Sequence, residues 1–178
     1  MRFDKSWTLF IDRDGVINKR RVDDYVKSWK EFEFLPGVLE SMKIFAEIFG
    51  KIIVVTNQQG IGKGLMTEKT LHEIHKKMCN EIEKAGGKVD AVFYCPDLKN
   101  KAGNCRKPAI KMFENAKNRF PEIIPEKSLM IGDSESDILF GKNAGMLTTF
   151  IGENAKFSAD YYSPTLKDFA EKLIPTTI

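Results

Sequence analysis

The 178-residue chain carries 28 Lys and Arg against 25 Asp and Glu, a net charge of +3, and 42% of its residues are hydrophobic. This composition is typical of a globular protein with a sizeable core, and the charge is too small to indicate a nucleic-acid partner. No apolar run approaches the roughly 20 residues that span a bilayer, and the N-terminus lacks the apolar segment of a secretion signal. We therefore expect a single domain over residues 1–178, a cytoplasmic location and no membrane partner.

An apolar segment followed by two aspartates stands near the start of the chain. Residues 7–11 predict a short buried strand, and Gly15 ends it. Asp12 and Asp14 then lie at the carboxyl end of that strand, where open α/β sheets bind ligands. A carboxylate there can act as a nucleophile toward phosphoryl groups, and paired carboxylates suit Mg²⁺. Ordinary turn residues are the alternative for so short a motif.

The rest of the chain alternates predicted helices with predicted strands. In order, we expect a loop at 19–34, a helix at 36–50, a strand at 51–55, a helix at 67–86, a strand at 91–94, a loop at 95–108, a helix carrying Ile110, Phe113 and Ala116, a strand at 128–131, a helix ending at Ala144, a strand at 147–151, a short strand at 161–162, and a helix carrying Leu166, Phe169 and Leu173. This alternation predicts an α/β fold, a Rossmann-like doubly wound parallel sheet with helices on both faces.

Polar side chains follow three further strands of the predicted sheet. Because the carboxyl ends of parallel strands meet at one edge, we expect these side chains to gather around Asp12 and Asp14. They are Thr56, Asn57 and Gln58 after the second strand, Arg106 and Lys107 at the close of the loop after the third, and Asp133 and Asp137 after the fourth. Carboxylates, a bound cation and a lysine together suit phosphoryl transfer.

Two further motifs are less specific. The glycine-rich segment 60–64 is not a Walker loop, because Gly64 follows Lys63 and no helix start is signalled. Lys63 is a candidate to bind an anionic substrate, and a plain turn is the alternative. His72 and His75 are three residues apart on a predicted helix, but no third ligand lies nearby. We predict that both histidines occupy surface or boundary positions.

The four clusters resemble, in order, the four motifs of the haloacid dehalogenase (HAD) superfamily. The motifs are Asp12-Arg13-Asp14-Gly15, Thr56-Asn57-Gln58, Lys107, and Gly132-Asp133 with Asp137. The chain is most similar to the subgroup that holds the D-glycero-D-manno-heptose-1,7-bisphosphate 7-phosphatases and the histidinol-phosphatase domain. The stretches FIDRDGVIN, VVTNQQGIGKG, YCP, CRKP and IGDSESD carry this resemblance. It covers residues 9–152, nearly the whole chain.

The resemblance implies a Mg²⁺-dependent phosphomonoester hydrolase that acts through an aspartyl phosphate on a small metabolite, such as heptose 1,7-bisphosphate. Asp12 would be the nucleophile and Asp14 the general acid and base. The remaining implied roles are phosphoryl binding by Thr56 and Lys107, substrate binding by Asn57, Gln58 and Arg106, and Mg²⁺ binding by the Asp12 carboxylate, the Asp14 carbonyl and Asp133. For Asp137 two roles stay open: orienting Lys107 or the metal ligands, and stabilising a helix dipole.

The chain departs from this subgroup in two places. The subgroup often holds a structural zinc through Cys-x-His and Cys-x-Cys, whereas this chain keeps only Cys95 and Cys105 of the four ligands, with Asp97 in place of the histidine. Structural zinc is almost always four-coordinate, so we expect no zinc at this degenerate site and reduced thiols at both cysteines. The spacing of the first two motifs also leaves no room for a large cap domain.

Alternative functions remain open at this point. The enzyme alternatives are a histidinol-phosphate phosphatase and a polynucleotide 3′-phosphatase, a group that shares D-x-D-G and T-N-Q. The small net charge argues against nucleic acid. A catalytically silent binding protein on the same fold is the non-enzyme alternative, and the presence of both Asp12 and Asp14 argues against it. For the assembly, we expect a monomer or a small homo-oligomer.

Overall fold

The centre of the fold is a six-stranded parallel sheet, seen in a computed structural model that describes residues 3–174. The strands are β1 (Thr8–Ile11), β2 (Lys51–Asn57), β3 (Ala91–Cys95), β4 (Ser128–Gly132), β5 (Leu147–Ile151) and β6 (Tyr161–Ser163). Their order is β3-β2-β1-β4-β5-β6, and every neighbouring pair is parallel. The chain winds outward from β1 in both directions, so the switch point of the topology lies between β1 and β4.

Helices cover both faces of this sheet. They are α1 (Val38–Ile48), α2 (Gln59–Gly62), α3 (Glu68–Lys84), α4 (Lys111–Arg119), α5 (Glu135–Asn143) and α6 (Leu166–Leu173). Apolar residues of α1, α3 and α6 pack into one core, and those of α4 and α5 pack into a second core. The predicted doubly wound α/β fold is therefore confirmed.

The buried strand β1 separates the two cores. Leu9 and Ile11 belong to the core beneath α1, α3 and α6, whereas Phe10 belongs to the core beneath α4 and α5. All three side chains have no solvent exposure. Successive side chains of a strand point to opposite faces, so a continuous apolar run is what a strand covered on both faces requires. This anchoring fixes where β1 ends, and the next residue is Asp12.

The helix termini follow the signals in the sequence. The Thr67 hydroxyl accepts a hydrogen bond from the backbone N–H of Thr70 at 3.1 Å and caps α3, and threonine is among the residues that favour this position. Helix α5 begins with a capping box in which Ser134 and Asp137 each satisfy the other's backbone N–H. Asp137 is thereby fixed at the first turn of α5, directly after β4.

The first half of the glycine-rich segment 60–64, expected to be a loop or a plain turn, is helical instead. It forms the short helix α2, and both glycines allow close packing there. A Cβ atom on Gly60 would lie 3.0 Å from the Tyr25 ring, and one on Gly62 would lie 2.5 Å from the Pro96 carbonyl oxygen. Tertiary contacts thus override a local sequence that carries no helix-start signal.

The loop at 19–34 crosses the carboxyl edge of the sheet and closes one side of the site. It contains a single 3-10 turn, Trp29–Glu31, and it is anchored by short bridges from Asn18 to Asp14 and to Phe34.

Among residues 3–174, no helix is long and apolar enough to cross a membrane.

Phe45 tests the larger of the two cores. This α1 side chain is fully buried, with ring centroids 5.9 Å from Phe49 and 6.3 Å from Phe169. Phe45→Ala removes most of a buried ring and leaves a cavity, so we expect the free energy of unfolding to fall by about 3–5 kcal/mol. Urea denaturation followed by circular dichroism measures the change. The control Leu139→Ala, at a side chain that is 40% exposed, is expected to cost under about 1 kcal/mol; equal losses would contradict this assignment of the core.

Candidate active site

A buried lysine joins two carboxylates at the centre of the carboxyl edge. The Lys107 ammonium lies 2.5 Å from Asp12 Oδ1 and 2.6 Å from Asp137 Oδ1, and it also donates to the Val55 carbonyl at 2.8 Å. Each of the three charged side chains is at most 6% exposed. A single ammonium thus ties together the ends of β1 and β2 and the start of α5. Of the two roles left open for Asp137, the structure shows both its contact with Lys107 and its place in the capping box.

Local contacts explain how Lys107 reaches this position. The Asn57 amide accepts a hydrogen bond from the Lys107 backbone N–H at 3.0 Å and donates to the Lys107 carbonyl at 3.4 Å. On the other side, a Cβ atom on Gly132 would lie 2.1 Å from the Asp137 Cβ. Only glycine allows α5 to start so close to β4. In this structure Asn57, predicted to bind substrate, is engaged in holding the backbone of the lysine loop.

The Asp14 carboxylate is held by three donors. Its Oδ1 accepts from Arg13 at 2.9 Å and from Asn18 at 3.0 Å, and its Oδ2 accepts from Gln58 at 2.8 Å. The same Gln58 amide donates to the Thr56 hydroxyl at 2.8 Å. Burial raises the pKa of Asp14, but these donors, led by the Arg13 guanidinium, hold the pKa below its ordinary value. Asp14 is therefore a fixed carboxylate in the substrate-free protein.

Behind Asp14 lies a buried pair that the sequence analysis missed. Arg13 has no solvent exposure, and its Nη1 lies 3.1 Å from His75 Nε2. His75 is 5% exposed, so the prediction of a surface or boundary position is wrong for this residue. Burial, with the neighbouring Arg13 charge, lowers the pKa of His75 to about 3. A neutral imidazole can then accept a hydrogen bond from the Arg13 guanidinium. The position of Arg13 between Asp12 and Asp14 was the available signal in the sequence.

Arg20 is a second residue that the sequence analysis did not single out. Its Nη2 donates to Asp133 Oδ1 at 2.8 Å, and its Nη2 and Nε donate to the Asp14 carbonyl oxygen at 3.1 and 3.3 Å. The basic run 19–21 is its only trace in the sequence. Its position next to the carboxylates depends on how the loop at 19–34 folds.

The acidic cluster offers the ligands that a hard divalent cation prefers. Carboxylate oxygens of Asp12, Asp133 and Asp137 lie within 4.8 Å of one another. The Asp14 carbonyl oxygen faces the same place, since the Arg20 guanidinium bridges it to Asp133. A Cβ atom on Gly15 would lie 1.9 Å from Asp133 Oδ2. Only glycine at this position therefore lets the Asp133 carboxylate approach the backbone carbonyl of Asp14. An all-oxygen set that already attracts one cation fits Mg²⁺.

Burial and the neighbouring charges change the pKa values of the groups in the cluster. The pKa of Asp12 is raised to about 8, because burial and the carboxylates of Asp137, Asp133 and Asp14 together outweigh the lowering effect of Lys107. The pKa of Asp133 is raised to about 6, chiefly by burial and against the opposing effect of Arg20. Although burial disfavours the charged ammonium, Asp12 and Asp137 raise the pKa of Lys107 above its ordinary value. Additional positive charge at this cluster would favour ionised Asp12.

A cavity of about 300 Å³ opens above these groups. Asp12, Asp14, Thr56 and Lys107 line its floor, with Asn57, Gln58, Asp137, Ser134 and Ser136 beside them, and Arg20, Arg21, Asp24, Tyr25 and Arg106 belong to its walls. The Arg106 Nη1 atom is buried and has no hydrogen-bond partner among residues 3–174. Lys63 is not brought into the lining: its ammonium lies 5.3 Å from the centre of the Tyr25 ring. The loop at 19–34 thus supplies much of one wall.

The two cysteines of the degenerate zinc motif are bonded to each other. Cys95, at the end of β3, forms a disulfide with Cys105, so the expectation of reduced thiols is wrong for this structure. Their Cα atoms are 5.5 Å apart, which is an ordinary separation for a disulfide. Asp97 accepts from the Cys105 backbone N–H at 3.1 Å and pairs with Lys101 at 2.5 Å. Both contacts fix the loop just before Arg106, and the expected lack of zinc stays a prediction.

Comparison with known proteins identifies the family. The family model described as polynucleotide kinase 3 phosphatase matches residues 1–173. The D-glycero-alpha-D-manno-heptose-1,7-bisphosphate 7-phosphatase of Mycobacterium tuberculosis is 38% identical over 138 residues, which are 78% of this chain and 73% of that protein. The D-glycero-beta-D-manno-heptose-1,7-bisphosphate 7-phosphatase of Neisseria meningitidis is 36% identical over 145 residues, 79% and 76% of the two chains. This chain is a HAD phosphatase of the family that includes the heptose-bisphosphate phosphatases.

A solved structure of this phosphatase family supports the same assignment. The D,D-heptose 1.7-bisphosphate phosphatase from B. bronchiseptica, complexed with magnesium and phosphate, has a TM-score of 0.83 at 28% identity, covering 94% of this chain and 97% of that one. The resemblance stated from the motifs is thereby confirmed, and so is the expectation that the chain is a phosphatase. The roles of individual residues in this HAD phosphatase stay predictions.

The buried His75 gives a prediction about pH and stability. The unfolded chain takes up a proton on this imidazole near pH 6.5, whereas the folded protein does so only near pH 3. Between these values His75 binds more protons in the unfolded state, so its own contribution to the free energy of unfolding falls as the pH falls. The raised pKa values of Asp12 and Asp133 contribute in the opposite direction, so the His75 contribution is read as a difference between variants. For one proton the slope reaches about 1.4 kcal/mol per pH unit. Urea denaturation at a series of pH values from 7 to 4.5 measures it.

Two variants isolate this contribution. His75→Gln keeps an acceptor for Arg13 but cannot titrate, so the slope of its free energy of unfolding against pH is expected to be lower than the wild-type slope by up to about 1.4 kcal/mol per pH unit. His72→Gln, at an exposed position on the same helix, is expected to keep the wild-type slope. Identical slopes in the wild type and His75→Gln would show that His75 does not stay neutral in the fold.

Proposed function

We propose that this HAD phosphatase is a Mg²⁺-dependent phosphomonoesterase that removes the 7-phosphate of a D-glycero-D-manno-heptose 1,7-bisphosphate through an aspartyl phosphate on Asp12. The observation that carries the proposal is the Lys107 ammonium, fixed between Asp12 and Asp137 at the floor of a cavity with arginine in its walls. A buried carboxylate beside a fixed positive charge is what attack on a phosphate anion requires.

In the first half of the reaction, a carboxylate oxygen of Asp12 attacks phosphorus and the bond from phosphorus to the sugar oxygen breaks. Asp14 gives a proton to that leaving oxygen. Its pKa is held low before substrate binds, and an arriving phosphate anion raises the pKa because like charges disfavour ionisation. Lys107 and the Thr56 hydroxyl bind the transferring phosphoryl oxygens.

In the second half, water attacks phosphorus and the bond between phosphorus and the Asp12 oxygen breaks, which releases inorganic phosphate. Asp14 takes the proton of the attacking water, a task for which its ionised form is suited. The Asp12 carboxylate, the Asp14 carbonyl and Asp133 would hold Mg²⁺. When bound, the ion supplies positive charge that offsets the repulsion between carboxylate and phosphate.

The walls of the cavity suit a substrate with a second anionic group. Arg106 carries a buried guanidinium nitrogen without a partner among the described residues, and it follows directly on the disulfide-bonded Cys105. Unpaired buried donors are costly unless a ligand satisfies them. We propose that Arg106 binds the 1-phosphate of the sugar. The relatives carry names with either anomer, so both anomers belong in the test.

A polynucleotide 3′-phosphatase is the second candidate, because the matching family model bears that description. Binding a nucleic-acid strand would require a basic groove that follows the backbone on both sides of the scissile phosphate. The chain has a net charge of +3, and Arg21 in the cavity wall is paired with Glu31 at 3.0 Å. These observations favour a small sugar phosphate.

Replacing the nucleophile gives the most direct mutational prediction. Asp12→Asn keeps the size of the side chain but removes its negative charge, so we expect hydrolysis of p-nitrophenyl phosphate to fall by at least about a thousandfold in kcat. A stopped or continuous assay for nitrophenol in saturating Mg²⁺ measures it. The control is Asp23→Asn at an exposed residue with φ 56°, a backbone conformation that asparagine also adopts. Wild-type activity in Asp12→Asn would exclude the aspartyl-phosphate mechanism.

A substrate panel tests the specificity. We expect kcat/KM to be at least about a hundredfold higher for one anomer of heptose 1,7-bisphosphate than for histidinol phosphate or a 3′-phosphorylated oligonucleotide, since only the bisphosphate gains the second charged contact. Phosphate release, measured with Mg²⁺ and with chelator, reports each substrate. The Arg106→Met variant should lose that preference for the bisphosphate, while its hydrolysis of p-nitrophenyl phosphate changes little. Preference for the oligonucleotide would overturn the sugar-phosphate assignment.

A further inference from the structure

The Arg20 guanidinium contacts two of the oxygen atoms that would bind Mg²⁺ at the proposed site. Arg20 donates from Nη2 to Asp133 Oδ1 at 2.8 Å, and from Nη2 and Nε to the Asp14 carbonyl oxygen at 3.1 and 3.3 Å. Its contacts are charge-assisted hydrogen bonds, which are stronger than neutral ones. A metal ion can use these two oxygens fully only after Arg20 has left them.

The charges of the cluster explain why a cation is needed there at all times. Three carboxylates of Asp12, Asp133 and Asp137 converge within 4.8 Å. Lys107 contacts Asp12 and Asp137, so Asp133 depends on Arg20 for its ion pair. Without either Arg20 or a metal ion, Asp133 would add an uncompensated negative charge to a mostly buried cluster, which destabilises the fold.

We propose that Arg20 is a built-in competitor of the divalent cation: it neutralises Asp133 in the metal-free enzyme and is displaced when the metal binds. The inference rests on the proposed Mg²⁺ site. The Arg20 side chain is 48% exposed and lies in the loop at 19–34, so it can turn into solvent without opening the core. Because these contacts must break when the metal binds, they weaken the metal affinity by their own free energy. In the metal-free enzyme the same contacts stabilise the folded cluster.

Calorimetric titration of Mg²⁺ into metal-stripped protein tests the proposal without any measurement of activity. Arg20→Met keeps the length of the side chain but removes the competing charge. We expect its Mg²⁺ dissociation constant to fall by about three- to tenfold, a range set by charged hydrogen bonds at a half-exposed site. Arg20→Lys keeps one charge but not the three contacts, so its dissociation constant should lie between those of the wild type and Arg20→Met.

The matched control is Arg21→Met. Arg21 is the next residue, also borders the cavity, and carries the same charge, but it pairs with Glu31 at 3.0 Å. It therefore reports how much any lost positive charge near the site strengthens Mg²⁺ binding through long-range electrostatics. We expect an improvement well below that of Arg20→Met. Adding Asp133→Asn to Arg20→Met should abolish the tight binding, which locates the titrated site.

Thermal melting gives a second readout. In chelator, Arg20→Met should melt at a lower temperature than Arg21→Met, and saturating Mg²⁺ should raise its melting temperature by a larger amount, because its carboxylates lack a substitute cation. An unchanged or weaker Mg²⁺ affinity in Arg20→Met would overturn the competition while leaving the metal site intact. Failure of both the wild type and Arg20→Met to bind Mg²⁺ would overturn the metal site and this inference together.

Discussion

The site depends on the buried Lys107 ammonium, which forms ion pairs with both Asp12 and Asp137. Breaking a buried charge pair by removing one member costs about 3–5 kcal/mol, because the remaining charge stays in a poorly solvated place. The lysine therefore orders the edge of the sheet, in addition to its proposed role in binding the phosphoryl group. It links the end of β1 to the start of α5 and reaches the Val55 carbonyl of β2. The Lys107 charge thus already compensates part of the negative charge of Asp12 and Asp137, which would otherwise repel a phosphate, before a substrate arrives.

Two glycines allow the charged groups of the site to come close together. Gly132 lets α5 begin against β4, and Gly15 lets Asp133 approach the backbone next to Asp14. The capping box of Ser134 and Asp137 then orients helix α5, whose first turn carries Asp137, the ion-pair partner of Lys107. Asp12, Asp14 and Thr56, which are proposed to take part in the chemistry, lie at or next to strand ends, whereas Arg106 and Lys107 are presented by the loop at 95–108. Functional residues at strand ends and in the loops that follow them are common in enzymes built on doubly wound sheets.

The sequence predicted the parts of this structure that follow from local pattern. Alternating strands and helices predicted the parallel sheet, and its strand ends predicted that Asp12, Thr56, Lys107 and Asp133 would gather. What it missed depends on contacts between distant segments. His75 reaches Arg13 across 62 positions and Arg20 reaches Asp133 across 113, and no periodicity reports such pairs. The disulfide between Cys95 and Cys105 was likewise missed, because the two cysteines were interpreted as reduced thiols of a degenerate zinc site.

The helical turn α2 and the orientation of Asn57 show a second limit of sequence reasoning. The segment 59–62 has no helix-start signal, and its helix forms because glycines allow contact with Tyr25 and Pro96. Asn57 stands where a substrate ligand is expected, yet both ends of its amide contact the backbone of Lys107. A polar residue at a strand end can thus support a functional side chain instead of touching the substrate itself.

The most direct test of the central claim is to trap the phosphorylated enzyme. Wild-type protein would be mixed with heptose bisphosphate, quenched in acid within milliseconds, reduced with borohydride and analysed by peptide mass spectrometry. An aspartyl phosphate is reduced to homoserine, so we expect homoserine at position 12 and at no other aspartate. Turnover without any modified aspartate, or homoserine at position 14 or 133 in place of 12, would contradict the assignment of Asp12 as the nucleophile held by Lys107.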